Sequence, residues 1–177
     1  MATPVETELP YAAPTEPHPI REAFLSGDTG AIRELLTPDV VLRSPITPSF
    51  RFEGREEVGR LFEDIVEAIR DVRYTDELTS GNVHVLVFEA RTGRTEIQGV
   101  DVMRLDDEGR IREMTVLVRP FPGLAELTRV LGGRLARRRG RLRGVLFALM
   151  TAPVAFLIRF GDPVGAKLAR PPRQGGV

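Results

Sequence analysis

Apolar residues recur at three- and four-residue steps through Val58, Leu61, Phe62, Ile65, Ile69 and Val72, and from Arg73 onward the period changes to two. The first spacing predicts an amphipathic helix, because 3.6 residues per turn gathers those positions into one stripe. Glu56, Glu57, Arg60, Glu63, Asp64, Glu67 and Arg70 then take the wet face. The second spacing predicts strands over 73–79, 82–91, 94–105 and 110–119, parted by Ser80-Gly81, Thr92-Gly93 and Asp107-Glu108-Gly109. Connections this short make neighbouring strands antiparallel.

Upstream, Ile20, Phe24 and Leu25 form one helical stripe, cut by Ser26-Gly27-Asp28. Asp28 or Thr29 caps the next short helix, with Ile32, Leu35 and Leu36 on one face. Pro38 ends it, 39–44 reads as a strand, and 45–54 is a loop carrying Pro45, Pro48 and Gly54. Helices, one strand, a long helix and then a meander give an α+β fold. A curved antiparallel sheet around a long helix encloses a cavity suited to a small hydrophobic molecule.

Hairpin pairing decides which side chains enter that cavity. A Thr92-Gly93 turn sets His84 opposite Asp101, Leu86 opposite Gly99 and Phe88 opposite Ile97. Met103 and Leu105 share that side by alternation. The other side carries Glu89, Glu96, Gln98 and Arg104 around Val85, Val87, Val100 and Val102, which suits solvent or a homodimer contact. On the inner side Asp101 and His84 are the only ionisable groups. Leu42, Ser44 and Tyr74 are expected to line the same cavity, with Leu86, Phe88 and Gly99. Met103, Met114, Val116 and Val118 complete the expected lining.

Composition narrows the chemistry. At 177 residues the chain is one domain with appendages. It has no cysteine and only His18 and His84 as imidazoles, too few for a multi-histidine zinc site. No spacing asks for a metal or a cofactor. Asp106, Asp107 and Glu108 read as a solvated turn. Asp101 is either a pocket acid/base, its charged form disfavoured by burial, or a structural carboxylate bonded to backbone or to His84. His84 either exchanges protons with Asp101 as a second catalytic residue or is a satisfied core histidine. Tyr74 either aims its hydroxyl inward or packs its ring with a wet tip. Ser44 has no partner that would make it a nucleophile.

Ser26-Gly27-Asp28, Leu36-Thr37-Pro38-Asp39-Val40-Val41, Phe52-Glu53-Gly54-Arg55-Glu56-Glu57-Val58 and the Asp101 segment followed by Arg110-Ile111-Arg112-Glu113-Met114 occur in an order and spacing that resemble the SnoaL-like branch of the nuclear transport factor 2-like superfamily. The resemblance implies a cone-shaped α+β barrel over roughly residues 18–120. It implies either acid/base chemistry such as isomerisation, cyclisation or epoxide opening, or non-catalytic binding or assembly. The Asp101 strand is similar to the ketosteroid isomerase strand that bears a neutral, hydrogen-bond-donating aspartate. By the same resemblance Ile20 stands where those isomerases have a tyrosine, and Ser44 where they have the general base. A serine cannot take a proton next to a ketone at neutral pH without a base of its own, so their mechanism is not expected to carry over.

Residues 1–17 read as a flexible, proline-rich leader, 18–121 as the barrel and 122–177 as a basic, then apolar helical extension. Residues 1–126 carry 14 basic and 24 acidic side chains, net −10, and residues 127–177 carry 11 and 1, net +10. Positions 133–143 are arginine-rich without interleaved aromatics, so nucleic acid is not the expected partner. The apolar run 144–158 is shorter than the ~20 residues a spanning helix needs, and Pro153 interrupts it. Segment 133–160 therefore either packs on the barrel or a second subunit, or touches a membrane surface. The expected location is cytoplasmic, with a membrane-peripheral alternative.

Overall fold

The computed structural model describes residues 16–46 and 51–138. Most of the leader, Pro48 and the apolar run 144–158 lie outside the described residues.

Helices α1 (Ile20–Ser26) and α2 (Thr29–Glu34) come first. Gly27, at φ 72°, closes α1 in the left-handed conformation that a glycine takes without a Cβ clash. Asp28 caps α2, its Oδ1 accepting the Ala31 N–H at 2.9 Å. Pro38 disfavours helix in the residue before it, and the chain is already extended from Leu36. Strand β1 is thus Leu36–Arg43, beginning earlier than the expected 39–44.

Strand β2 (Arg51–Glu53) and helix α3 (Arg55–Ala68) follow. Helix α3 stops short of Val72, since Ile69 is already extended. Ile69 and Val72 are β-branched and suit a pleated strand at least as well as a helix. They open β3 (Ile69–Ser80), which leads to β4 (Val83–Thr92), β5 (Thr95–Leu105) and β6 (Ile111–Arg119). Helix α4 (Phe121–Arg138) ends the described chain.

The six strands form one curved, unclosed sheet in the order β2-β1-β6-β5-β4-β3. It is mixed rather than wholly antiparallel, because β1 runs parallel along the free edge of β6. The long connection through β2, α3 and the meander allows that direction.

The β4–β5 turn is Gly93-Arg94, closed by the Thr92–Thr95 pair, one residue later than expected. Gly93, at φ 58°, supplies the positive φ that a tight hairpin turn favours. Moving a turn by one residue shifts the pairing by two, so every side chain keeps its face and changes its partner. His84 stands opposite Met103, Leu86 opposite Asp101, Phe88 opposite Gly99 and Ala90 opposite Ile97.

One core cluster joins α1–α3 to the sheet through Ile20, Ile32, Val58, Leu86 and Met103. A second joins α4 to the sheet through Leu127, Leu131, Ile97 and Ala90. Burial of this apolar surface is the main stabilising term. Helix α4 is fastened to α3 by Arg134 with Glu67 and by Arg138 with Glu63 and Asp64. Asp64 is consequently only 6% exposed, which corrects its expected place on the wet face. Among the described residues no helix is long and apolar enough to cross a membrane.

Candidate functional site

Between the concave side of the sheet and helices α3 and α4 lies a cavity of about 770 Å³. Strand alternation supplies its wall: Leu42 from β1, Tyr74 from β3, Leu86 and Phe88 from β4, and Asp101 from β5. Met114, Val116 and Val118 add a row from β6, and Ser44 lies just beyond β1. The lining is predominantly apolar with few polar groups, as in small-molecule sites generally.

Asp101 is the polar centre of this wall. It is half-buried and lines the cavity. Among the described residues no cation or hydrogen-bond donor contacts its carboxyl. Burial therefore acts alone and raises its pKa from 3.8 to about 7. Near neutral pH the group is divided between a neutral donor and a charged acceptor.

Tyr74 occupies the adjacent strand row. Its ring meets Phe88 edge-on, with centroids 6.3 Å apart, and lies 5.2 Å from the Arg21 guanidinium carbon. Burial raises the phenol above its ordinary pKa, the Asp101 charge adds to that rise, and Arg21 opposes it. Tyr74 is thus a neutral hydrogen-bond donor throughout the physiological range.

Three expected members stand elsewhere. His84 does not meet Asp101, because the hairpin register places it one inward-facing position away. Its Nε2 lies 3.0 Å from Oε1 of Glu77, and its ring is 5.2 Å from that of His18 in an edge-on pair. Met103 is fully buried in the core below the cavity. Gly99 lies under the Phe88 ring, which a Cβ at that position would overlap, so it shapes the wall without lining it. Ser44 does line the cavity, with its Oγ accepting the Ile46 N–H at 3.2 Å. Ile20 is a buried wall residue.

Other lining residues were not expected. Phe24 comes from α1, while Leu127, Leu131 and Leu135 come from α4. The four-residue spacing of those leucines is a readable helical signal. Arg51, Glu57, Arg60 and the Asp64–Arg138 pair carry the charge of the lining. At that pair Arg138 Nη2 donates to Oδ1 of Asp64 at 3.1 Å, and Nε lies 3.1 Å from Oδ2.

The family model for the SnoaL-like domain matches residues 20–114. A steroid delta-isomerase from Pseudomonas aeruginosa superposes with a TM-score of 0.64 at 32% identity, over 72% of this chain and 98% of that one. An uncharacterized bacterial protein with a cystatin-like fold, from Silicibacter pomeroyi, also gives 0.64, at 24% identity over 73% and 92% of the two chains. An NTF2-like protein of unknown function from Mesorhizobium loti gives 0.52, at 22% identity over 57% and 85%. No curated protein matches the chain.

Proposed function

The chain belongs to the SnoaL-like family, and on that premise we propose that its cavity binds a small, largely apolar molecule and performs acid/base chemistry on it at Asp101. The observation that carries this reading is a carboxyl in the wall of an apolar cavity with no counter-ion among the described residues, its pKa raised to about 7. A group poised there donates a proton or a hydrogen bond in one form and accepts a proton in the other. Isomerisation, cyclisation and epoxide opening all fit that capacity. In an isomerisation the carboxylate takes a proton from one carbon of the ligand and returns it to another, leaving Asp101 unchanged.

The similar protein from Pseudomonas aeruginosa is a steroid delta-isomerase, which favours proton transfer on an apolar substrate. Ile20 supplies no donor where those isomerases have a tyrosine, and Ser44 supplies no general base, so proton transfer here rests on one carboxyl. A second reading, non-catalytic ligand binding, draws support from Ser44, a hydroxyl that cannot act as a general base at the position where the isomerases have one. Homodimerisation through the outer sheet face belongs to the same proposal. There Val85 pairs with Val102, Val87 pairs with Val100, and Leu117 is 55% exposed. A monomeric mass in sedimentation contradicts it.

The test is native mass spectrometry of the full chain purified from its own host. A bound small molecule that is lost in Asp101→Asn supports the site. Repeated recovery of empty wild-type protein counts against it.

A further inference from the structure

Behind the Tyr74 wall lies a buried polar group that the chemistry assigned to Asp101 does not use. Its hub is Glu77, whose side chain is 5% exposed. Oε2 accepts Arg21 Nη1 at 2.6 Å, and Oε1 accepts the His18 backbone N–H at 2.7 Å. His84 Nε2 lies 3.0 Å from the same Oε1. In strict alternation Tyr74 and Glu77, three residues apart, would face opposite sides of β3. The ladder shifts between Tyr74 and Asp76, leaving Thr75 as an extra residue, and both side chains turn inward. A bulge of this kind re-aims a side chain, and here it aims two.

The consequence falls on Tyr74. Its ring is held between the edge of Phe88 and the guanidinium of Arg21, and Arg21 is itself pinned by Glu77. Because Glu77 neutralises Arg21, the arginine supplies orientation rather than net charge. A planar guanidinium can bond a carboxylate through its edge while its face covers a ring, whereas an ammonium is a point charge with no face to lay on the ring.

We propose that Tyr74 is the specificity-determining hydrogen-bond donor of the cavity, and that Arg21, held by Glu77, is its positioning residue. The pair selects ligands with a hydroxyl or carbonyl oxygen over hydrocarbon-like molecules of the same size. This rests on the reading of the cavity as the ligand site of Asp101. It involves binding alone, with no covalent bond made or broken.

The test measures the affinities of para-nitrophenol and of nitrobenzene, which lacks the hydroxyl, for the full chain. Wild type is expected to prefer para-nitrophenol. Tyr74→Phe should cut that preference about tenfold, the loss typical of a buried hydrogen bond, with nitrobenzene unaffected. A neutral double variant, Arg21→Met with Glu77→Gln, should reduce it several-fold while preserving charge balance. Arg21→Lys, which keeps the ion pair and folds without a buried lone charge, should restore it only in part. The ratio of the two affinities is insensitive to general loosening, which weakens both probes alike. An unchanged ratio in Tyr74→Phe and in Arg21→Lys, with para-nitrophenol binding still dependent on Asp101, overturns this proposal alone. If wild type binds neither probe, the proposal and the ligand-site reading fall together.

Discussion

His84 holds its Nε2 3.0 Å from Oε1 of Glu77, so the buried carboxylate nearest this imidazole is not the one in the cavity wall. The molecule keeps two separate acid–base environments on one sheet face. One carboxyl, Glu77, is paired with Arg21 and lies beside His84, and the other, Asp101, has no cation against it among the described residues. Replacing His84 by Gln is expected to lower stability by about 1–3 kcal/mol, the usual result of disturbing buried polar groups. The Asp101 titration should stay where it was. Thermal unfolding and carboxyl NMR on the same variant check the two halves of this expectation.

Asp101 makes stability depend on pH in the opposite sense to an ion-paired carboxylate. Its folded pKa, about 7, lies above the unfolded value, so the folded chain holds a proton that the unfolded chain has lost. Stability contributed by the neutral carboxyl is present below about pH 4 and lost as pH rises towards 7. Asp101→Asn is expected to match wild type at pH 4 and to exceed it at pH 8. The gain should be about 2–4 kcal/mol, at roughly 1.4 kcal/mol per unit of pKa separation. Denaturant unfolding at the two pH values measures it, and an equal difference at both would show that Asp101 carries no raised pKa in the fold.

His18 works the other way. Burial lowers its pKa, with the neighbouring His84 adding to the effect, so the fold keeps it neutral where the unfolded chain begins to bind a proton. Stability should therefore fall as pH drops below the unfolded value of about 6.5. An Asp101→Asn background removes the opposing slope. In that background His18→Gln is expected to flatten the decline between pH 7 and pH 5, as followed by thermal unfolding.

The clamp between α3 and α4 should behave as a coupled pair. Arg138→Ala leaves Asp64 buried without its cation, and the expected loss is about 1–3 kcal/mol. Adding Asp64→Asn should recover part of that loss. A double-mutant cycle in urea reads the coupling, and simple additivity would show that the contact contributes nothing.

Gly99→Ala tests the wall itself. The new methyl group meets the Phe88 ring and must drive it towards the cavity. Overpacking of this kind costs about 1–3 kcal/mol. Weaker binding of nitrobenzene, measured by calorimetry, should accompany the loss of stability.

Alternation from Val83 to Arg119 made the meander and its two faces readable, and both faces survive in the structure. Partners across the hairpin were less readable, because Thr92-Gly93 and Gly93-Arg94 both offer a glycine to the turn. A one-residue choice there moves Asp101 from His84 to Leu86. The inward turn of both Tyr74 and Glu77 was not legible, since a bulge has no fixed residue signature in this strand. The burial of Asp64 depends on α4, which arrives some seventy residues later in the chain. Local period decides which face a residue takes, and long-range packing decides which groups meet.

Asp101 lines the cavity half-buried, with no cation against it among the described residues. Carbon-detected NMR of aspartate-labelled protein, with Asp101→Asn to assign the signal, measures its titration directly. The expected midpoint lies near pH 7 and moves when nitrobenzene fills the cavity. A midpoint near pH 4, indifferent to the probe, would contradict it.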